Sequence, residues 1–595
     1  MDFLTSRNNP GNIHKKSRQK EALFFLLALF LAACALHNLL FIFFPIQVDL
    51  DHDEAEHLHV AYLVGQGQRP FVDFIENHPT LFNHFLWWLK NITSADTVRQ
   101  WATATRSIIF IHFFLSLVIL IAWLSSLIKS RPKGLGWWTI ILLSFSSIGY
   151  SHQTLRHIWQ IRPDWISYAY TICGLFFLYE FIIKTVAGKN KVIDTILLMM
   201  GGILMGAGNA ILPKGGIITI GFIVAFAALY LLGLIGKPGK AVGKKIIFPV
   251  LLFILLTATS FVLFVFLDCK LGNISFKQWF QAVISLNSLK HLPLTFEEAN
   301  PVTSITALFS LNLFLLLCFF LLVIYELARP AEDPKIDYKR VVIISLSLMA
   351  ANLFATTISN GLTWSHYFIP TFFAVFSLYV ILILRITGTK TVKFYSGRFT
   401  RESILTILGL LIIITAQAKQ VFEVYPVFLE RSQMNQSPLV AKYDDYFNEA
   451  TMPSGLTYMS TGPNHIPVLA RNWGYYFMLV TDRNVWNDVH RLDLGPEPDT
   501  YFIQTFENSP PDVIALRGKS GLMRFVVNAQ ICQKVNLDWL FDKIEKDYVA
   551  MSLFDREIYV SKENINLFKA LGWKIGLRLT RDATETLAGQ IILFK

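Results

Sequence analysis

The sequence is poor in charged residues and in cysteine, and each shortage excludes a class of protein. Only 16% of its 595 residues are charged while 53% are apolar, whereas a soluble chain of this length needs a well-charged surface. Five cysteines, three of them inside apolar runs (Cys34, Cys173 and Cys318), exclude a disulfide framework and a thiolate metal site. No Walker loop or dinucleotide fingerprint stands at a strand-to-helix junction, so no nucleotide-binding site is expected.

What the chain has instead is a series of long apolar runs, with a mean hydropathy of +0.45. A bilayer core about 30 Å thick is crossed by about 20 residues of helix. Runs near that length predict an all-α polytopic membrane bundle of about eleven spans. They are 22–47, 103–128, 135–150, 164–186, 193–212, 215–236, 246–267, 303–327, 341–360, 364–385 and 403–420.

The positive charge of the chain follows this membrane pattern. Lys and Arg cluster in the N-terminal tail and in alternate loops, at 129–133, 184–191, 237–245, 329–340 and 385–401. The positive-inside rule places these segments in the cytoplasm and the stretches 48–102, 151–163, 268–302 and everything after 421 outside. Topology therefore accounts for the net charge of +11, and membrane lipids rather than nucleic acid are the expected surroundings.

Beyond Val421 the pattern changes to short apolar segments separated by turns. β-like stretches such as Val513–Leu516 and Ile558–Val560 alternate with helix-like ones such as Trp539–Lys546, which predicts a C-terminal soluble α/β domain. The expected organisation is a cytoplasmic tail at 1–21, a transmembrane domain at 22–420 with an outer loop at 48–102, and an outer α/β domain at 421–595.

The chemistry-bearing residues concentrate directly after the first predicted span. Residues 49–59 contain five acids and three histidines. Asp51 and Glu54 fit a capping box, and the apolar positions that follow predict a short amphipathic helix, with outer-loop helices lying along the interface. Capping uses only two of the acids, so Asp53 and Glu56 are left for another role.

A second cluster, Arg69–Pro79, completes a recognisable order of motifs. An Asp-Glu-Ala after the first span, then a Pro-aromatic-x-Asp-Phe and an Asn-His-Pro, resembles the first outer loop of the C-type membrane glycosyltransferases. The resemblance is closest to the branch of protein O-mannosyltransferases and lipid A aminoarabinose transferase. The family's Asp-Glu pair falls on Asp53 and Glu54, and its His-Pro-Pro falls on His78-Pro79-Thr80, where the second proline is missing.

The resemblance implies a reaction. Such enzymes move a sugar from a polyprenyl-phosphate donor to a lipid, glycan or protein acceptor on the outer face of the membrane. It implies an inverting hexosyl- or pentosyltransferase in a bacterial inner membrane, with its soluble domain in the periplasm. Asp53 would be the general base, a role for which a buried carboxylate is suited, while Glu54 orients or caps. Glu76, His78 and Asp73 would bind substrate.

The departing phosphate needs cations at the outer boundary of the membrane. Arg156, Arg162 and Lys214 lie on that side. For the arginines, lipid headgroup contact is the alternative. For Lys214 it is snorkelling, although the neighbouring Pro213 and glycines favour unwound backbone lining a cavity. Asp164 would pair with either arginine.

Two further features leave alternatives open. Trp364–Pro370 resembles the family's His-Tyr-x-x-Pro, so His366 and Tyr367 are expected near the donor, although an interfacial aromatic belt would also contain them. Histidines at 57, 59, 78 and 84 offer ligands for a divalent metal, but their spacing matches no specific site and no metal is assigned.

Two other functions compete with the enzyme. One is a transporter or flippase for a lipid-linked glycan, and the other is a non-catalytic scaffold whose outer domain binds a partner. Transporters usually show broken helices in matching halves, a pattern that this sequence lacks.

Overall fold

The computed structural model describes residues 50–126, 160–186, 191–231, 240–291, parts of 345–377, 449–460, 467–474, 488–496, 498–515, 537–553 and 556–576. The predicted spans at 22–47, 135–150, 303–327 and 403–420 lie outside these residues, and those at 341–360 and 364–385 are described only in part. The total of about eleven spans stays a prediction.

Two short helices form the outer loop. Helix α1, His52–Gly65, begins where Glu54 accepts a hydrogen bond from the Asp51 backbone N–H at 2.9 Å, as the capping pattern predicts. Helix α2, Leu81–Ile92, follows an irregular segment at 66–80. The segment 69–80 therefore lies in the connection between α1 and α2.

Long helices follow, and four of them are long and apolar enough to cross a membrane within the described residues. The long helices are α3 Val98–Ser126, α4 Asp164–Val186, α5 Val192–Ile211, α6 Lys214–Leu231 and α7 Lys240–Gly272. The four candidate spans are Val98–Ile121, Asp164–Ile182, Val192–Ile211 and Ile247–Gly272. Four of the predicted runs are thereby confirmed as spanning-length helices.

Helix α5 packs tightly between α4 and α7 because glycines bring the backbones together. A Cβ at Gly208 would lie 2.7 Å from the carbonyl oxygen of Ser167 on α4, and one at Gly206 would lie 2.4 Å from that of Thr257 on α7. Small residues allow this close approach, which drives helix association in lipid. Helices α4, α5 and α7 therefore form a close-packed unit.

The chain then forms a short irregular helix after the C-terminal end of α7. It consists of α8 Phe276–Trp279, a π-helical turn Phe280–Ser285 and α9 Leu286–His291.

The C-terminal part contains a small mixed sheet, with strand order β2-β1-β3-β5-β4-β6. The strands are β1 Thr457–Ser460, β2 Arg471–Asn472, β3 Val513–Ala515, β4 Tyr548–Leu553, β5 Arg556–Ser561 and β6 Lys574–Ile575. Strands β2, β1 and β3 are parallel, and the remaining pairs are antiparallel. Helices α10 Pro498–Asn508, α11 Leu537–Asp547 and α12 Ile565–Ala570 accompany them.

Helix α1 lies between this sheet and the membrane helices. Leu58 and Ala61 belong to one apolar cluster with Leu86 of α2, whereas Leu63 belongs to another with Val513 of β3. The expected helix is present, but apolar partners cover it from two sides because it has a second apolar face. Asp53 lies in the first turn of the helix, whereas Glu54 and His59 are polar residues on its buried sides.

Direct hydrogen bonds also tie the two parts together. The imidazole Nδ1–H of His59 donates to the carbonyl oxygen of Val468 at 2.7 Å. The Glu449 carboxylate accepts from the Val98 backbone N–H at 2.9 and 3.1 Å, at the start of α3. These bonds fix the C-terminal domain against the outer loop.

Candidate active site

The carboxylate of Asp53 contacts the guanidinium of Arg162, just before the start of α4. An Nη1–H group of Arg162 donates to Asp53 Oδ2, and Nε–H of the same guanidinium donates to Asp164 Oδ2 at 3.2 Å. The Asp53 side chain is 38% exposed, whereas that of Arg162 is 12% exposed. Asp53 is therefore only partly buried, in contrast to the buried carboxylate that the sequence reasoning expected, and the guanidinium of Arg162 is the more buried partner.

Lys214 belongs to the same cluster. It stands at the start of α6, where the chain turns after Pro213, and interacts electrostatically with Asp164, Arg162 and Asp53. Among the described residues, the cluster thus contains two cations and two carboxylates: Asp53 of α1, Arg162 just before α4, Asp164 of α4 and Lys214 of α6. Their charges balance, and an incoming phosphate would compete with the two aspartates for the cations.

Glu54 plays a different part from its neighbour Asp53. It is fully buried and takes a bidentate pair of hydrogen bonds from Arg106 of α3, at 2.8 Å from Nε and 2.7 Å from Nη2. It also accepts from the backbone N–H groups of Asp51 and Ile161, both at 2.9 Å. Its oxygens are fully engaged, so Glu54 joins α1 to α3 and to the residue before Arg162.

The segment 69–80 supplies a second carboxylate and a histidine. Glu76 is 3% exposed, and its Oε1 accepts from His78 Nδ1 at 2.8 Å and from the backbone N–H groups of Asn77 and His78. Burial raises the pKa of Glu76, but the hydrogen bond from His78 and the nearby imidazoles more than offset it and leave the pKa below its usual value. Glu76 is therefore an anion in the folded protein at neutral pH.

Glu56, Glu76 and His78 also form a candidate metal site. Their ligand atoms lie within 4.8 Å of one another, and Glu76 Oε2 is buried with no hydrogen-bond partner among the described residues. Because His78 donates from Nδ1 to Glu76, its Nε2 is free to act as a ligand, the arrangement common in metal-bound histidines. Two carboxylates and an imidazole suit a divalent cation such as Mn²⁺ or Zn²⁺.

His57 lies beside these groups. It is 5% exposed, and its ring meets those of His78 and Phe82 edge-on at 5.7 and 5.6 Å. Burial, followed by the neighbouring His78, lowers the pKa of His57 to about 4. Its imidazole is therefore neutral at physiological pH.

Thr80, at the missing second proline, anchors the end of this segment. Its backbone N–H and its hydroxyl donate to the Asp268 carboxylate at 3.1 and 2.8 Å, and Trp279 Nε1–H completes the set at 2.9 Å. A proline could donate neither bond. The departure from the resembled motif is therefore accommodated by a different anchor near the C-terminal end of α7.

The predicted site residues separate into three groups. Asp53, Arg162 and Lys214 come together, and Glu76 and His78 are connected to them through His57, which interacts with both pairs. Asp73 instead pairs with Arg69 across an exposed turn, at 3.1 Å. Arg156, His366 and Tyr367 lie outside the described residues, so their roles stay predictions.

Two buried residues were missed by the sequence reasoning. Arg106 is a charged residue inside a predicted span and Asp268 directly follows another, and charged residues at such positions are by default candidates for function. Their positions were a usable signal. What the sequence did not reveal is that their partners are Glu54 and Thr80, because those contacts join segments 52 and 188 positions apart.

Comparisons with known proteins give a limited result. No protein-family model matches the chain, and no curated protein matches it. Among solved structures, the archaeal oligosaccharyltransferase AglB from Archaeoglobus fulgidus is similar, in a complex with an inhibitory peptide and a dolichol-phosphate. The TM-score is 0.46 and the identity 12%, over 91% of this chain and 75% of that one.

A second structure of that enzyme, tethered to an acceptor peptide, has a TM-score of 0.47 at 11% identity, over 92% and 75% of the two chains. A third, in complex with Zn and sulfate, has a TM-score of 0.44 at 12% identity, over 90% and 73%. All three TM-scores are below 0.5, so the reaction of this chain is inferred from the geometry of its own site.

Proposed function

We propose that this chain transfers a sugar from a polyprenyl-phosphate donor to an acceptor hydroxyl at the outer boundary of a membrane. One observation supports it above the others: Asp53 is paired with Arg162 and lies near Lys214, although these residues come from three separate segments. A carboxylate beside two cations at the end of a helix bundle is what transfer from a lipid phosphate requires.

The roles follow from the positions. Asp53, the more exposed member of its pair, takes the proton from the acceptor hydroxyl as that oxygen attacks the anomeric carbon. The bond from that carbon to the phosphate oxygen breaks, and the departing polyprenyl phosphate keeps the electron pair next to Arg162 and Lys214. Attack from the side opposite the phosphate inverts the anomeric configuration. Glu54 and Asp164 hold the helix and the guanidinium in place.

A divalent cation belongs to the same proposal. Glu56, Glu76 and His78 would hold the ion. Glu76 Oε2, which has no hydrogen-bond partner among the described residues, would gain a favourable contact by binding it. When bound, such an ion supplies positive charge for an anionic or hydroxyl-bearing substrate. The hydrogen bond from His78 to Glu76 orients both ligands before any ion arrives.

The setting of the reaction is proposed from topology. The ends of α3, α4, α5, α6 and α7 that carry or contact the site are those that the basic loops assign to the outer side. In a bacterial inner membrane this side is the periplasm, where a lipid, glycan or protein acceptor would meet the C-terminal domain. That domain packs against α1 next to the base candidate.

The test is replacement of Asp53 by Asn in the producing cell. Mass spectrometry of envelope glycolipids and glycoproteins should show a sugar modification that disappears when the protein is removed. The wild-type chain should restore the modification and Asp53→Asn should not, with a loss of at least about 100-fold, since general-base catalysis contributes about 10²–10⁴-fold.

Asp96→Asn is the matched control. Asp96 is an exposed acid of the same outer loop, so this variant should restore the modification in full. Equal amounts of both variants in the membrane exclude a folding defect. If Asp53→Asn restores the modification like the wild type, the catalytic assignment is wrong; if removing the protein changes no glycan, the transferase proposal itself fails.

A further inference from the structure

The face of α1 that carries Asp53 has another polar group with no role in the transfer described above. Asp53, Glu56 and His57 stand at positions i, i+3 and i+4, so they share one side of the helix. Phe82 and His78 hold the His57 ring edge-on from two directions. Its position is thus fixed by packing, next to the cluster and not in solvent.

The Nδ1 atom of His57 is buried and has no hydrogen-bond partner in the described part of the chain. Leaving a buried polar group unpaired is unfavourable, and such groups are rare in native proteins. His59, two positions along the same helix, has its Nδ1–H bonded to Val468 at 2.7 Å, and only its Nε2 is buried without a hydrogen-bond partner among the described residues. His57 lacks such a partner at the edge of the candidate site.

We propose that His57 hydrogen-bonds a hydroxyl group of the transferred sugar and so helps to select that sugar, an inference that rests on the proposed transfer. Each imidazole nitrogen either donates or accepts, and a hydroxyl group can do both. The binding of a sugar therefore satisfies the nitrogen in either tautomer.

The placement along α1 fits this role. Arg162 and Lys214 would hold the donor phosphate near Asp53, at the first turn of the helix. His57 lies one turn further on, a rise of about 5.4 Å, which is comparable to the width of a sugar ring. A donor with its phosphate on the cations and its anomeric carbon at Asp53 presents the far hydroxyl groups to His57.

The experiment measures donor binding, so it needs no knowledge of the acceptor. Purified full-length protein in lipid nanodiscs is titrated with polyprenyl phosphate and with polyprenyl-phosphate hexoses (mannose, glucose and galactose), and then with deoxy derivatives of the tightest binder. The wild type should bind that hexose donor more tightly than the bare phosphate. One deoxy derivative should lose about tenfold, the equivalent of one hydrogen bond.

His57→Phe should bind the bare phosphate as the wild type does, which also shows that the variant is folded. It should lose about tenfold for the hexose donor and should no longer discriminate against the deoxy derivative. His57→Asn keeps a polar group near the position of Nδ1 and should retain most of the discrimination. His59→Phe, the matched control on the other face, should leave the discrimination unchanged.

Two outcomes would overturn the assignment while leaving the transferase proposal standing. One is unchanged discrimination in His57→Phe. The other is a wild-type protein that binds the hexose donor but discriminates against none of its deoxy derivatives. A wild-type protein that binds neither polyprenyl phosphate nor its hexose derivatives would instead contradict the proposed function.

Discussion

At the scale of single residues, neighbours in sequence have taken opposite roles. Asp53 is 38% exposed by its side chain, while Glu54 is fully buried and bonded on both oxygens. Successive helical positions point about 100° apart, so one acid faces the site and the next faces the bundle. A carboxylate with all of its lone pairs engaged is poorly placed to accept a substrate proton.

Lys214 should matter for the phosphate and not for the fold. Lys214→Gln should weaken binding of polyprenyl phosphate by about 10–100-fold, because a hydrogen bond to a charged group is worth about 1.5–3 kcal/mol. Lys214→Arg should retain most of the affinity, since it keeps the charge. Titration of nanodisc-embedded protein measures this, with Lys277→Gln, an exposed lysine near the outer end of α7, as the control. Equal weakening by both glutamine variants would mean that the effect is only general surface charge.

At the scale of elements, the buried Glu54–Arg106 pair joins three pieces of the chain. Its side chains are 1% and 0% exposed, and Glu54 also holds the backbone at Ile161, one residue before Arg162. The clamp therefore sets how far apart Asp53 and Arg162 lie, which a catalytic pair requires to within fractions of an ångström.

Breaking this clamp should cost stability. Glu54→Gln removes the charged partner of a buried ion pair, a change that costs about 3–5 kcal/mol. The unfolding temperature in detergent should fall clearly. Asp73→Asn removes an ion pair of similar length at an exposed turn. This change should alter the unfolding temperature little. A Glu54→Gln protein as stable as Asp73→Asn would show that the pair contributes no net stabilisation.

At the scale of the whole molecule, the joint between α1 and the C-terminal domain should be sensitive to acid. Burial lowers the pKa of His59 to about 4, only partly countered by its bond to Val468. Because the folded pKa is below the unfolded value of about 6.5, the unfolded state binds more protons between these values. The stability contribution is present in full above pH 6.5 and is lost as the pH falls towards 4.

The unfolding temperature should accordingly drop between pH 7 and pH 5. His59 alone contributes a slope of up to about 1.4 kcal/mol per pH unit. His59→Gln removes that group, so its unfolding temperature should fall less steeply with acid, whatever its value at pH 7. Parallel curves for wild type and His59→Gln would show that His59 does not titrate on unfolding.

Much of the architecture was predictable from local patterns. Apolar runs near the length of a bilayer predicted α3, α4, α5 and α7, because hydrophobic length alone decides whether a helix can span. The Asp51–Glu54 spacing likewise predicted where α1 begins, since capping is a contact between residues three apart. The motif order around Asp53 and His78 indicated which stretch holds the chemistry.

Only the tertiary structure decided which of those residues meet. Three such contacts join residues more than 50 positions apart. Asp53 pairs with Arg162, Glu54 pairs with Arg106, and Thr80, at the position of the missing proline, donates to Asp268. Hydrophobic runs and capping contacts involve residues close together in the chain, so the sequence alone predicts the helices that they form. Contacts between distant charges depend on how the helices pack against one another, and no local pattern encodes that.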